Sequence, residues 1–246
     1  MKKIIILIVI GLVAILIDIY AALIPVRNYR FSIAYTSLFL LVSVVGMAYI
    51  APLVRKWGEY GSKMGMALFF LGLSFFFNIV GTISQVFLST STFTYAPYSI
   101  FAFIGMYISW GISLIYFFSV SGYRYTKLVI YIIVLFSILG ILFFIGSISF
   151  RIPFFLFWGD YGYTFVDLII FFLTILFLFH LRKLRGGTLF LPFIFFGTGI
   201  LFQFFGDFMI NLRLPSGPQY GSLVVELSYC LSWMLLALTP ATFPED

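Results

Sequence analysis

The fold class predicted by the sequence is all-α, a polytopic integral membrane bundle of about eight transmembrane helices, and three observations predict it. Hydrophobic residues make up 63% of the chain and charged residues 9%, against roughly a quarter charged in a soluble domain. Apolar runs recur at about twenty residues, the length a helix needs to cross a bilayer, whereas barrel strands would show alternating segments of about ten. Short breaks carrying Pro, Gly and basic residues separate those runs. In lipid the backbone must satisfy its own hydrogen bonds, and unbroken apolar runs of this length do so as helices.

The predicted spans lie near 4–24, 33–53, 64–88, 97–119, 128–148, 162–181, 188–211 and 221–240. The first follows Met1-Lys2-Lys3; the run continues to Leu23 and contains Asp18, which fits a retained helix better than a cleaved signal. Pro25 to Phe31 precedes the second span, and Val54 to Lys63, with Arg55 and Lys56, closes it. The third ends just before Ser89, the fourth opens at Pro97, and the fifth lies between Lys127 and Ser149. A connection from Ser149 to Tyr161 leads to the sixth. The basic stretch from Arg182 to Gly187 separates it from the seventh, and Leu212 to Tyr220 leads to the eighth, which stops at Pro240. No connection has room for a second domain, so residues 1–246 are expected to be one transmembrane domain with no soluble domain.

Lys and Arg in short loops remain on the cytoplasmic side. With an inner N-terminus, Lys2, Lys3, Arg55, Lys56, Lys63, Arg124, Lys127, Arg182, Lys183 and Arg185 all fall on the inner face. Only Arg27, Arg30, Arg151 and Arg213 fall on the outer one. Both termini are therefore expected in the cytoplasm, in the cell membrane. The net charge of +6 is membrane topology rather than a nucleic-acid surface.

An internal repeat accompanies this plan. Gly72, Gly81, Ser99 and Trp110 match Gly197, Gly206, Ser222 and Trp233, with the glycine spacing and the Ser-to-Trp spacing identical in the two copies. Ser109-Trp110 and Ser232-Trp233 agree as dipeptides. A parallel duplication of four helices plus four, repeats 1–120 and 121–246, is the expectation.

Ionisable groups inside a bilayer are costly and mark functional sites by default. Asp18, Asp167, Asp207 and Glu226 all fall in the outer halves of their predicted helices. Gly199, Gln203, Asp207 and Asn211 recur at fourfold spacing, one polar stripe along a Phe-rich helix. The eighth span carries Ser222, Glu226, Tyr229, Cys230 and Trp233 on one face, so a carboxylate pocket shared by Asp207 and Glu226 is expected near the outer surface. Asp167, Asp207, Glu226, Gln203, Asn211 and Asp18 are thus the ligand or ion candidates, with outer-loop Arg151 and Arg213 as the nearest counter-charges and Arg27 and Arg30 behind them. The alternative is that these carboxylates only tie helices together by hydrogen bonds of about 1 kcal/mol.

Other chemistries lack their residues. His180 is the only histidine and sits by the inner loop, so bis-His haem and His-based metal sites are not expected. Every lysine is at an inner loop, which excludes retinal; Cys230 is the only cysteine, which excludes an intrachain disulfide. No Gly-x-Ser-x-Gly, His-Glu-x-x-His or phosphate-binding glycine loop occurs. Asp167 and Asp207 formally supply the two acids of an intramembrane aspartyl protease, but neither lies in a recognisable motif. No cofactor and no metal is expected, nor an enzyme. The 34 Phe, 16 Tyr and 4 Trp are expected mostly at the lipid face and the interfaces.

Gly206-Asp207 late in one span, followed by Tyr220-Gly221-Ser222, Glu226 and Leu227-Ser228-Tyr229, resembles a pattern in multi-helix prokaryotic membrane sensor modules found before histidine kinase or diguanylate cyclase domains. Pro97-Tyr98-Ser99 looks like a second copy of its opening, without the acidic residues usual there. The resemblance implies a sensory or scaffold role. The expectation is a non-enzymatic, stand-alone sensor-like module or an accessory subunit acting through a protein partner. Arg55, Lys56, Arg182, Lys183 and Arg185 would face that partner or anionic lipid headgroups. The alternative is a secondary transporter or ion-coupled carrier using the outer carboxylates.

Overall fold

The computed structural model describes residues 2–23, 29–88, 97–122, 163–211 and 220–244, and is all-α throughout them. Seven α-helices are present among the described residues: α1 (Lys2–Leu23), α2 (Tyr29–Lys56), α3 (Lys63–Leu88), α4 (Pro97–Val120), α5 (Tyr163–Leu181), α6 (Phe190–Asn211) and α7 (Tyr220–Ala241). Their ends agree closely with the predicted spans. The fifth predicted span, 128–148, lies outside the described residues, as do Arg27, Arg124, Lys127, Arg151 and Arg213.

Among the described residues, five segments are long and apolar enough to cross a membrane: Thr36–Lys56, Lys63–Ser84, Phe101–Val120, Phe190–Met209 and Val224–Ala241. Large apolar side chains stand on the outside, Leu16 at 63%, Phe101 and Phe179 at 57% and Ile108 at 53% exposure. An apolar exterior over an equally apolar interior is what lipid as solvent demands.

Six helices close into a ring, α2, α3, α4, α5, α6, α7 and back to α2, while α1 lies in the groove between α2 and α7. The closest pairings are α3 with α4 and α6 with α7. Small residues permit them: a Cβ on Gly81 would lie 2.6 Å from the Phe103 ring, and one on Gly206 2.6 Å from the Tyr229 ring. Buried polar side chains fasten other pairs. Asn78 Nδ2 on α3 donates to Ser43 Oγ on α2 at 3.0 Å, and Ser113 Oγ on α4 donates to the Ala67 carbonyl on α3 at 2.9 Å. Hydrogen bonds of this kind replace the hydrophobic drive that is missing between helices in lipid.

The interior of the ring is filled by aromatic side chains. At its centre Trp110 and Trp233 meet with ring centroids 5.5 Å apart, and Phe75 packs edge-on to Trp233 at 5.3 Å. One end of the bundle is closed by Phe117, Phe118, Phe177, Phe193, Phe196 and Phe243, all fully or almost fully buried. Centroid separations there include 4.9 Å for Phe117 to Phe193 and to Phe196, and 5.1 Å for Phe118 to Phe177. Rings fill the interior because an edge-to-face pair adds attraction beyond the area it removes from lipid.

The basic residues gather at this same end. Arg55, Lys56, Lys63, Arg182, Lys183 and Arg185 are all exposed. Lys56 Nζ donates to the Pro244 carbonyl at 3.2 Å, which holds the chain beyond α7 against the end of α2. Gly58, at φ 86°, reverses the chain after α2 in the left-handed region where a Cβ is disfavoured, and Ser62 Oγ then caps α3 by accepting from Gly65 N at 2.8 Å. His180 lies here too, its Nε2 3.1 Å from the Ser121 carbonyl beyond α4.

Candidate functional site

Toward the opposite end, four helices converge on two carboxylates, Asp167 buried and Asp207 half-buried. Asp207 is four residues from the end of α6 at Asn211, and Asp167 four residues from the start of α5 at Tyr163, so each lies about one turn inside its helix. The antiparallel pairing of α5 and α6 brings them level, with Phe171 and Phe204 stacked at 4.1 Å on the adjoining turn. Asp167 is 3% exposed.

Asp207 is held by three donors. Tyr229 on α7 donates to Oδ1 at 2.5 Å, Tyr107 on α4 donates to Oδ2, and Gln203 Nε2, one turn away on α6, donates to Oδ2 at 3.3 Å. Tyr107 also interacts with Asp167, so its hydroxyl lies between the two acids. Each contact has a local cause. Gln203 and Asp207 are four apart and share a helix face. Tyr229 comes close because Gly206 has no side chain to hold its ring away. Tyr107 is fixed by Trp110 one turn on, edge to face at 5.4 Å.

Oxygen acceptors exceed hydrogen-bond donors here. Asp167 Oδ2 and Gln203 Oε1 are buried without a hydrogen-bond partner. Among the described residues, no basic side chain acts on either aspartate. Farther along three of these helices, Trp110 Nε1 on α4, Thr174 Oγ1 on α5 and Ser232 Oγ on α7 are also buried without partners. No group of three or more His, Cys, Asp or Glu that could hold a metal ion occurs among the described residues. An aspartyl-protease pair would need a water activated between its two acids, whereas here a tyrosine hydroxyl lies between them and both Asp207 oxygens already accept hydrogen bonds.

Of the six ligand or ion candidates, Asp167, Asp207 and Gln203 stand together. The side chain reaching Asp207 from α7 is Tyr229, one turn deeper than Glu226, and the carboxylate beside it is Asp167. Glu226 is half-buried on α7. Asp18 and Asn211 are placed on α1 and α6, their side chains outside what the structure describes, and Arg30 is likewise placed on α2 by its backbone alone. Sequence reading missed Tyr107. A tyrosine in mid-helix must find a partner for its hydroxyl in lipid, and the Tyr107-to-Trp110 spacing put both on the core face; those were the available signals.

Compared with protein-family models, curated proteins and solved structures, the chain matches none.

Proposed function

We propose that this chain is a non-enzymatic multi-pass membrane protein, a sensor-like module or accessory subunit whose carboxylate cluster is the input and whose basic end is the output. The observation that carries the reading is the node at Asp207, where one carboxylate is bonded to α4, α6 and α7 and stands beside an acid from α5. A change in its charge or occupancy acts on four helices at once. The phenylalanine layer that closes the basic end among the described residues favours signalling over passage.

In this reading the basic end is cytoplasmic, in the cell membrane, and Arg55, Lys56, Arg182, Lys183 and Arg185 meet a protein partner or anionic headgroups. The full plan is eight helices in two parallel repeats. The equivalent glycines Gly81 and Gly206 each admit a ring from the next helix, and the equivalent Trp110 and Trp233 meet as residues beside a twofold axis would. The likeness of the Gly206-Asp207 to Tyr229 stretch to prokaryotic sensor modules points the same way.

The test is purification from native membranes in mild detergent, comparing the wild type with a variant in which Arg55, Lys56, Arg182 and Lys183 are changed to Glu. A stoichiometric protein retained by the wild type and lost from the variant is the expected result. Unchanged association, or a clean protein in both preparations, removes the partner reading.

A second reading, an ion-coupled carrier, is favoured by Tyr107. It brings α4 of the first repeat into a cluster otherwise built from the second, as a coupling site between repeats would. Uptake by vesicles containing the wild type, lost in Asp207→Asn, would establish it; equal uptake by empty vesicles would remove it.

A further inference from the structure

We propose that the cluster between Asp167, Gln203 and Asp207 binds one hard monovalent cation of sodium's kind. This rests on the reading of the cluster as the input site and names its ligand. Asp207 is served on both oxygens by Tyr107, Tyr229 and Gln203 Nε2. A phenol has one hydrogen to give, so the two tyrosines have none left. Two oxygens remain without a partner, Asp167 Oδ2 and Gln203 Oε1, on side chains 3% and 7% exposed. The Gln203 amide is anchored at the cluster by its own nitrogen, which fixes its carbonyl there as well.

A buried acceptor without a donor is expensive, and in lipid no bulk water relieves it. Protonation suits an aspartate, but a carboxamide oxygen does not take up a proton near neutral pH. A cation ligated by both oxygens satisfies them together and offsets the charge of two carboxylates that meet no basic side chain among the described residues.

The ligands also select the class. Every open ligand is oxygen, which suits a hard ion. The sulfur and imidazole that softer metals prefer lie elsewhere: Cys230 Sγ points to the Gly11 carbonyl at 3.8 Å, and His180 is at the basic end. Calcium takes six to eight oxygens and magnesium retains several waters in a strict octahedron. A divalent ion must also shed far more hydration to enter a cluster within lipid, so a singly charged ion, with the tyrosine hydroxyl oxygens helping to complete its shell, fits better.

The experiment uses the full chain in lipid nanodiscs at fixed pH, followed by thermal unfolding and by tryptophan fluorescence, which Trp110 reports from one turn beyond Tyr107. Sodium chloride is titrated against choline chloride at constant ionic strength, then against calcium and magnesium chloride. The expected result is a saturable rise in Tm with sodium and none with choline, with apparent affinity reduced about tenfold or more in both Asp167→Asn and Gln203→Leu. Gln203→Leu leaves both acids in place, so it reads the ligand role even if Asp167→Asn fails to fold. Identical melting in sodium and choline, saturation by a divalent ion with sodium inert, or an undiminished sodium response in Gln203→Leu would each overturn the proposal. A cluster that takes only protons would fail this test, while the sensor reading stands or falls separately on the partner experiment.

Discussion

Tyr107 on α4 donates its phenolic hydrogen to Asp207 Oδ2 on α6, joining residues one hundred positions apart. Removing that hydroxyl leaves Oδ2 with the longer bond from Gln203 Nε2 alone. Hydrogen bonds to charged groups contribute about 1.5–3 kcal/mol in soluble proteins, and interhelical ones in lipid average less. Tyr107→Phe is therefore expected to lower unfolding free energy by about 1–2 kcal/mol. Unfolding in mixed detergent measures it, and a change below about 0.3 kcal/mol would mean the bond does not hold α4 to α6.

Gly206 bears on the same node through Tyr229. A methyl group at this position would lie 2.6 Å from Tyr229 Cε1, so the ring must shift, and that shift is expected to weaken its hydroxyl's bond to Asp207 Oδ1. Overpacking costs about 1–3 kcal/mol, and Gly206→Ala is expected in that range. The second consequence is sharper: once the ring is displaced, Tyr229→Phe has little left to remove. A double-mutant cycle should show a coupling of at least about 0.5 kcal/mol between the two changes, whereas strict additivity would place the ring elsewhere.

The helices were legible in the sequence because a bilayer sets one length for all of them. The seven spans before and after 128–148, bounded by breaks such as Arg55-Lys56 and Pro97, emerge within a few residues of where hydropathy put them. Asp167, Asp207 and Gln203 were legible because each is anomalous in lipid, and fourfold spacing tied the last two together. The partners were not. Hydropathy treats Tyr107 as another aromatic, and whether Tyr229 or Glu226 reaches Asp207 is set by the rotation of α7 against α6, which depends on Gly206 and the packing of Leu236 against Gly199. Likewise the division of phenylalanines between lipid and core is a property of how the ring closes, because Phe is at home in either place.

The basic end offers a test of orientation. Lys56 and Arg182 end helices far apart in sequence yet both are exposed at the same end of the bundle. Cys230 is the only native thiol and is buried, so Cys230→Ser provides a background for single cysteines at these positions. Lys56→Cys and Arg182→Cys are expected to react with a membrane-impermeant maleimide from one side only, and from the same side. Labelling from opposite sides would contradict the helix directions. Labelling of both only from outside intact cells would reverse the proposed cytoplasmic assignment.

Trp233 connects the centre of the ring to the carboxylate node. Its ring is 5.3 Å from Phe75, 5.8 Å from Phe39 and 5.5 Å from Trp110, and Trp110 in turn supports Tyr107 at 5.4 Å. Trp233 is 1% exposed, so Trp233→Ala empties space that three helices line, and a cost of about 3–5 kcal/mol is expected. Trp233→Phe keeps a ring against Phe75 and should cost less. The cavity would open directly beneath Trp110, freeing it to tilt and to release Tyr107 from the position in which it reaches Asp207. If the node depends on that support, Tyr107→Phe will destabilise the Trp233→Ala protein less than it destabilises the wild type, by at least about 0.5 kcal/mol. Equal effects in both backgrounds would show that Asp207 holds Tyr107 without help from the tryptophan pair, and would separate the stability of the core from the geometry of the site.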